Sequence, residues 1–154
     1  MLRPRIIPSL LIHDNGLVKT KNFKNPSYVG DPINAVKTFN EKEVDELIIS
    51  DIDASVLKRE PNFDLIKKFA EESRMPLCYS GGVKTLEHVS KIIQLGIEKV
   101  GISSKAIEDE EFIKQAAALV GSQSVVGILD IKKGLFGGYS AYIENGKKKS
   151  KKIS

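Results

Sequence analysis

Small polar and acidic residues cluster at one recurrent position in this sequence, directly after short apolar runs. Ser50, Asp51, Asp53 and Ser55 follow or interrupt DELIISDI, Ser80-Gly81-Gly82 follows MPLCY, Ser103-Ser104 follows EKVGI, and Asp130 closes SVVGIL. Gly-Gly or Ser-Ser before a helix leaves backbone N–H groups open to an anion, so Gly81, Gly82, Ser103 and Ser104 could hold one phosphate between neighbouring turns. A lone Gly-Gly is equally a tight strand-to-helix turn; two such turns in register strengthen the phosphate reading. Asp51 and Asp130 could transfer protons or bind ligand hydroxyls, because apolar surroundings raise a carboxyl pKa. Capping a turn or helix is the alternative use of either acid.

The segment RIIPSLLIHDNG near the start superposes on SVVGILDIKKG at an offset of 119 residues, which sets Leu11 opposite Asp130. One strand therefore ends in an acid where its counterpart carries a leucine. Between His13 and Gly30, HDNGLVKTKNFKNPSYVG is too long for a routine connection, and its Lys19, Lys21 and Lys24 suit a mobile lid over an anionic ligand. A disordered surface loop is the alternative. At the opposite, N-terminal strand ends stand Arg5, Glu46 and Lys99, which could meet in a charged ring around a barrel axis or serve stability alone. His13 begins a loop without a matching ligand pattern, and His88 is expected to face solvent from the middle of a helix. No metal site is expected. Cys78, the single cysteine, reads as a small strand hydrophobe, and its lack of a partner fits a reducing compartment.

At 154 residues and 41% hydrophobic content the chain suits one domain with a real core. No apolar run is long enough to span a membrane and no signal peptide is visible, so a cytoplasmic location and no membrane partner are expected. The net charge of +4 comes from the end of the chain: without the five lysines among the last eight residues, 19 basic residues face 20 acidic ones. The segment 147–154 therefore reads as a solvated, disordered basic tail if terminal, and nucleic acid is not the expected partner.

The elements that must position these residues alternate. Strands are expected at 5–12, 45–52, 75–79, 97–103 and 124–131, mostly as continuous apolar runs covered on both faces. Asp31-Pro32, Asn62 and Thr85 start helices, Gly96 and Gly121 stop them, and Asp109 opens the last with acids. The fold class is α/β with parallel (βα) units: the N-terminal half of a TIM (β/α)8 barrel plus strand five and a hairpin turning at Asn145-Gly146. One domain is expected over 1–146. A complete barrel needs ~250 residues, so the chain reads as a half-barrel with an open edge, an open sheet, or a fragment, and self-association is expected if it ends at Ser154.

RIIPSLL, GLVKTKNFKNPSYVGDP, DELIISDIDAS, the Ser-Gly-Gly turn, EKVGISSKA and GSQSVVGILD together resemble HisF, the cyclase subunit family of imidazole glycerol phosphate synthase. The similarity runs from Arg5 to the tail lysines and covers the first half of the family's barrel. It implies no cofactor, a HisH-like glutaminase partner, and an ammonia entrance formed by Arg5, Glu46 and Lys99. It also implies that Lys19 is a functional lysine of the lid, that Gly82, Ser103 and Ser104 bind one phosphate of a phosphorylated ligand, and that Asp130 is one of two catalytic aspartates. The other belongs at position 11. A leucine there can neither give nor take a proton. Leu11 together with KNPSYVGDPINA is similar to HisF-like proteins of surface-polysaccharide (lipopolysaccharide) biosynthesis, which resemblance links to a sugar-amidating synthetase. The histidine-pathway lyase (cyclase) and an inactive, truncated half-barrel that docks a partner are the alternatives.

Overall fold

The computed structural model describes residues 3–134 and 137–150. The chain enters as strand β1 (Ser9–His13), turns at Asp14-Asn15 into a hairpin of β2 (Gly16–Lys21) and β3 (Lys24–Gly30), and continues into helix α1 (Pro32–Glu41). Strand β4 (Leu47–Asp51), helix α2 (Phe63–Glu72), β5 (Leu77–Ser80), α3 (Leu86–Gln94) and β6 (Lys99–Ile102) follow in strict alternation. A short α4 (Ser104–Glu108), α5 (Glu110–Val120) and β7 (Val125–Gly127) complete the main sheet. Beyond it β8 (Asp130–Lys133), β9 (Tyr139–Ile143) and β10 (Lys148–Lys149) form a separate antiparallel sheet.

The main sheet has the order β3-β2-β1-β4-β5-β6-β7, with β1, β4, β5, β6 and β7 parallel. This is half of a TIM-barrel-like fold, as the alternating pattern implies. Period-two alternation decides which residues face where. Leu10, Ile12, Leu47, Ile49, Leu77, Tyr79, Val100 and Ile102 turn outward and pack with Ile66, Phe69, Val89, Ile92 and Phe112 of the helices. The intervening residues turn toward the barrel axis, in two layers fixed by register. Ser9, Ile48, Cys78 and Lys99 make the lower one; Leu11, Ser50, Ser80 and Gly101 make the upper.

Local chemistry sets the helix starts. Side-chain oxygens of Asp31, Asn62, Thr85 and Asp109 accept the backbone N–H three residues on, at 2.8, 3.1, 3.2 and 3.2 Å.

Four expectations change. The segment from His13 to Gly30 is an antiparallel hairpin that extends the sheet, because β2 pairs with β1 through Leu11↔Val18 and its neighbours. The apolar run 124–131 is not one strand: Ile128 still donates to the Ile102 carbonyl, and the chain then leaves the sheet, so Asp130 belongs to β8. His88 is buried, 8% exposed; its Nδ1 accepts the Lys84 N–H at 3.4 Å and its ring meets Phe63 edge-on. The basic stretch does not begin unstructured at 147, because Lys148 and Lys149 pair with Ile143 and Tyr142 and Ser150 is buried. Residues 151–154 lie outside the described ones.

Candidate functional site

Parallel strands deliver their C-terminal ends to one rim, and there the structure holds a cavity of about 810 Å3. Leu11, Asp51, Gly81, Gly82, Ser103, Ser104 and Asp130 all line it. The turn after β5 is possible only with glycine: Gly82 has φ +70°, and a Cβ there would lie 2.8 Å from the Arg59 carbonyl oxygen. Ser103 precedes α4, whose second residue brings Lys105 to the wall. The Ser104 hydroxyl is already engaged, accepting the Glu144 N–H at 3.2 Å, which ties this expected phosphate ligand to the second sheet.

The two acids are held differently. Asp51 Oδ1 accepts the N–H groups of Asp53 and Ala54 at 2.9 and 3.0 Å, with the Arg59 guanidinium 3.7 Å away. It closes the turn after β4 while still lining the cavity, so capping and ligand contact coexist. Burial raises its pKa, against those hydrogen bonds and Arg59. Asp130 Oδ2 accepts the Gly146 N–H at 3.0 Å, and burial raises its pKa too, opposed by Gly146 and Lys132.

A carboxyl whose folded pKa is raised binds more protons folded than unfolded, so its penalty is full above the folded pKa and absent below the unfolded one. Asp130→Asn keeps an oxygen for Gly146 and removes the buried charge. Chemical denaturation should show this variant more stable than the parent at neutral pH, with the difference vanishing on acidification.

The upper inner layer is the floor of the cavity. The Ser80 hydroxyl donates to Ser50 Oγ at 2.8 Å, and Leu11 pairs with Ser50 across β1 and β4. Thus the hydroxyl pair sits beside Leu11, where the family resemblance led one to expect a second acid. Ser50 stood out in the sequence as a rim residue, but its bond to Ser80 spans 30 positions and has no local signal.

Lys19 is not part of the cavity. It is exposed on β2 and lines a shallow groove of about 250 Å3 beside Leu11. The hairpin contributes Thr20, Asn22 and Phe23 to the cavity instead. Sequence reasoning assigned the hairpin to a lid by its lysines; the alternation along β2 and the turn at Asn22-Phe23 are what choose the lining residues. His13, left without a role, lies with Nδ1 2.7 Å from Asp53 Oδ1, while Asp14 N–H donates to Asp53 Oδ2 at 2.8 Å. Asp53 so pins the root of the hairpin to the loop after β4.

At the other end of the strands, the three charged residues converge. Lys99 Nζ lies 2.6 Å and Arg5 Nη1 3.5 Å from Glu46 Oε2. The Glu46 side chain is 5% exposed and that of Arg5 61%, so the carboxylate is inside and the guanidinium at the surface. Ile6 and Ile7 leave apolar surface open next to them. Cys78, in register with Lys99, is buried, and burial followed by the Glu46 charge pushes its thiol up to about 12. A thiol so held is an inert wall residue. Among the described residues no group of three or more His, Cys, Asp or Glu side chains could hold a metal, and no helix is long and apolar enough to cross a membrane.

A sequence model of the family described as histidine biosynthesis protein matches residues 5–153. A Pseudomonas aeruginosa protein named "Putative imidazole glycerol phosphate synthase subunit hisF2" is 57% identical over 152 residues, 99% of this chain and 61% of that protein. A Leptospira borgpetersenii protein named "Putative imidazole glycerol phosphate synthase subunit HisF" is 52% identical over 153 residues, 99% of this chain and 60% of that protein. The "Imidazole glycerol phosphate synthase subunit HisF" of Campylobacter concisus is 40% identical over 148 residues, 96% of this chain and 59% of that protein. The chain thus spans about 60% of the length of these curated relatives.

Proposed function

The chain belongs to the histidine biosynthesis protein family as a HisF-like member, and from that premise we propose that it is the ammonia-handling subunit of a glutamine-dependent amidotransferase system. Ammonia from a HisH-like glutaminase would enter at Arg5, Glu46 and Lys99 and leave near the cavity. There a separate synthetase would use it to amidate a nucleotide-linked sugar in surface-polysaccharide biosynthesis. The observation that carries this reading is the asymmetry between the two ends of the barrel axis. The charged ring is assembled around a buried Glu46, whereas the cavity has Asp130 on one side and Leu11 where a second acid would stand.

Each residue then has a task its geometry suits. The ring offers a fixed carboxylate between two cations, and the exposed Ile6 and Ile7 suit a docked partner. Apart from Lys99 of the ring itself, the inner layers are lined by neutral side chains, Ser9, Ile48, Cys78, Ser50 and Ser80, which present no fixed charge to bind ammonia tightly. Gly82, Ser103 and the lysines of the rim favour a phosphorylated ligand over the exit.

The second reading is the histidine-pathway cyclase, favoured by Asp130 and by the Gly81-Gly82 and Ser103-Ser104 turns sharing one cavity. The experiment supplies glutamine labelled with 15N in its amide, the glutaminase, the synthetase and the sugar-linked nucleotide, with and without this chain. Label should enter the sugar amide only when the chain is present, and Glu46→Leu should lower transfer without lowering synthesis from added ammonium salt. Chain-independent transfer would overturn the proposal, as would ring closure of the phosphorylated cyclase substrate with Leu11 in place.

A further inference from the structure

The tip of the β2–β3 hairpin reaches across the cavity to the turn between β9 and β10, and the contact is built from unusual parts. Asn22 and Phe23 both have positive φ, +53° and +60°. A bulky residue rarely keeps that conformation unless neighbours hold it there. Phe23 is held from the far side: the Lys132 ammonium lies 5.3 Å from its ring centroid and 4.5 Å from that of Tyr142. The same ammonium donates to the Gly146 carbonyl. Gly146 has φ +70°, and a Cβ on it would lie 2.9 Å from Phe23 Cγ and 3.0 Å from Lys132 Cε. Its N–H in turn donates to Asp130 Oδ2.

We propose that Lys132 is a positioning residue that couples the hairpin tip to the Asp130 carboxylate through Gly146. One peptide turn is gripped on its carbonyl by Lys132, on its Cα face by Phe23 and on its N–H by Asp130. Withdrawal of the tip frees the turn and thereby the carboxylate. Occupation of the cavity by a group that engages Asp130 must then bias the tip by the same amount, since linkage is reciprocal. Lys132 on its own strand is the charge that acts on Asp130 directly, and Asp51 and Lys58 from the loop after β4, Lys84 from the turn after β5, Lys105 and Glu108 from α4 and Glu144 from the β9–β10 turn line the same cavity.

Two readouts on the full chain and its single variants test this. Trypsin cleavage after Lys21 and Lys24, followed by mass spectrometry, reports the tip, and the 13C carboxyl signal of Asp130 across a pH series reports the acid. Lys132→Met and Phe23→Leu are each expected to raise tip cleavage about tenfold, the size of one lost cation–ring contact. Both should shift the Asp130 titration upward, the first by loss of the cation and the second by loosening the Gly146 bond. Lys132→Arg, which keeps a cation over the rings, should restore both. Phe23→Leu decides alone if Lys132→Met unfolds the second sheet, because Phe23 reaches Asp130 through Gly146 and the Lys132 ammonium, the two groups of the coupling. An Asp130 titration unchanged in Phe23→Leu, or a tip equally protected in that variant, overturns the coupling. No ammonia transfer enters either readout, so this inference and the ammonia-delivery reading fail separately.

Discussion

Leu11→Asp is expected to change the kind of chemistry the cavity can perform. With leucine the floor beside Ser50 and Ser80 offers hydroxyls but no proton acceptor opposite Asp130. General acid–base groups contribute about 10²–10⁴ in rate each, so their absence removes a step that needs two of them in concert. A carboxylate at position 11 would share one cavity with Asp130, and two acids in a common site part their pKa values, one staying charged and one holding a proton. That is the arrangement the family resemblance implies for ring closure. The substitution carries a cost, because residue 11 is half-buried between Val18 and Ser50, and a carboxylate there loses part of its hydration unless it takes up a proton. The measurement uses ammonium salt as nitrogen donor and compares the chain with a chimera completed by the C-terminal part of a HisF relative. Ammonia-dependent cyclisation is expected in the Leu11→Asp chimera and not in the Leu11 chimera. Equal turnover in both would remove position 11 from the argument and return the histidine-pathway reading to first place.

What the sequence made legible follows from how far each signal reaches along the chain. Asp31, Asn62 and Thr85 could be recognised as caps because cap and recipient N–H are three residues apart. The rim was legible for a different reason: parallel strands with helical crossovers must send all their C-terminal ends one way, so residues after each apolar run share a surface. Packing between distant segments left no such mark. His88 sits among charged neighbours in the sequence, yet its helix turns it onto Phe63, and only the three-dimensional turn of α3 against α2 decides that. The run 124–131 is uniformly apolar, and its division after Gly127 depends on the partner strand β6 ending at Ile102. The lysines of the long segment drew attention to Lys19, whereas pairing with β1 directs Thr20 rather than Lys19 to the cavity. The strand beginnings suggested that Arg5, Glu46 and Lys99 could meet, and the three side chains do converge, but burial of Glu46 beside exposed Arg5 is a fact of the fold.

That burial gives the second large expectation. Among the described residues, Glu46 is inside the protein with Lys99 2.6 Å away and only the exposed Arg5 besides as an ion-pair partner. Lys99→Met leaves the carboxylate desolvated and nearly alone, and breaking a buried pair from one side costs about 3–5 kcal/mol. Arg5→Met removes a partner that water can replace, so its cost should stay within about 1 kcal/mol. The double variant Glu46→Leu, Lys99→Met should recover most of the loss, because an apolar pair of similar volume is often as stable as the ions it replaces. Urea denaturation of the single and double variants gives the coupling directly. The comparison also separates structure from function at the ring. If the apolar double variant is as stable as the parent, stability does not account for keeping two charges at the N-terminal face, and the proposed role in passing ammonia gains support. Such a variant should fold normally while losing delivery from the glutaminase and keeping synthesis from free ammonium. A double variant as unstable as Lys99→Met alone would instead make the ring a stability device, and the ammonia route would lose its strongest support.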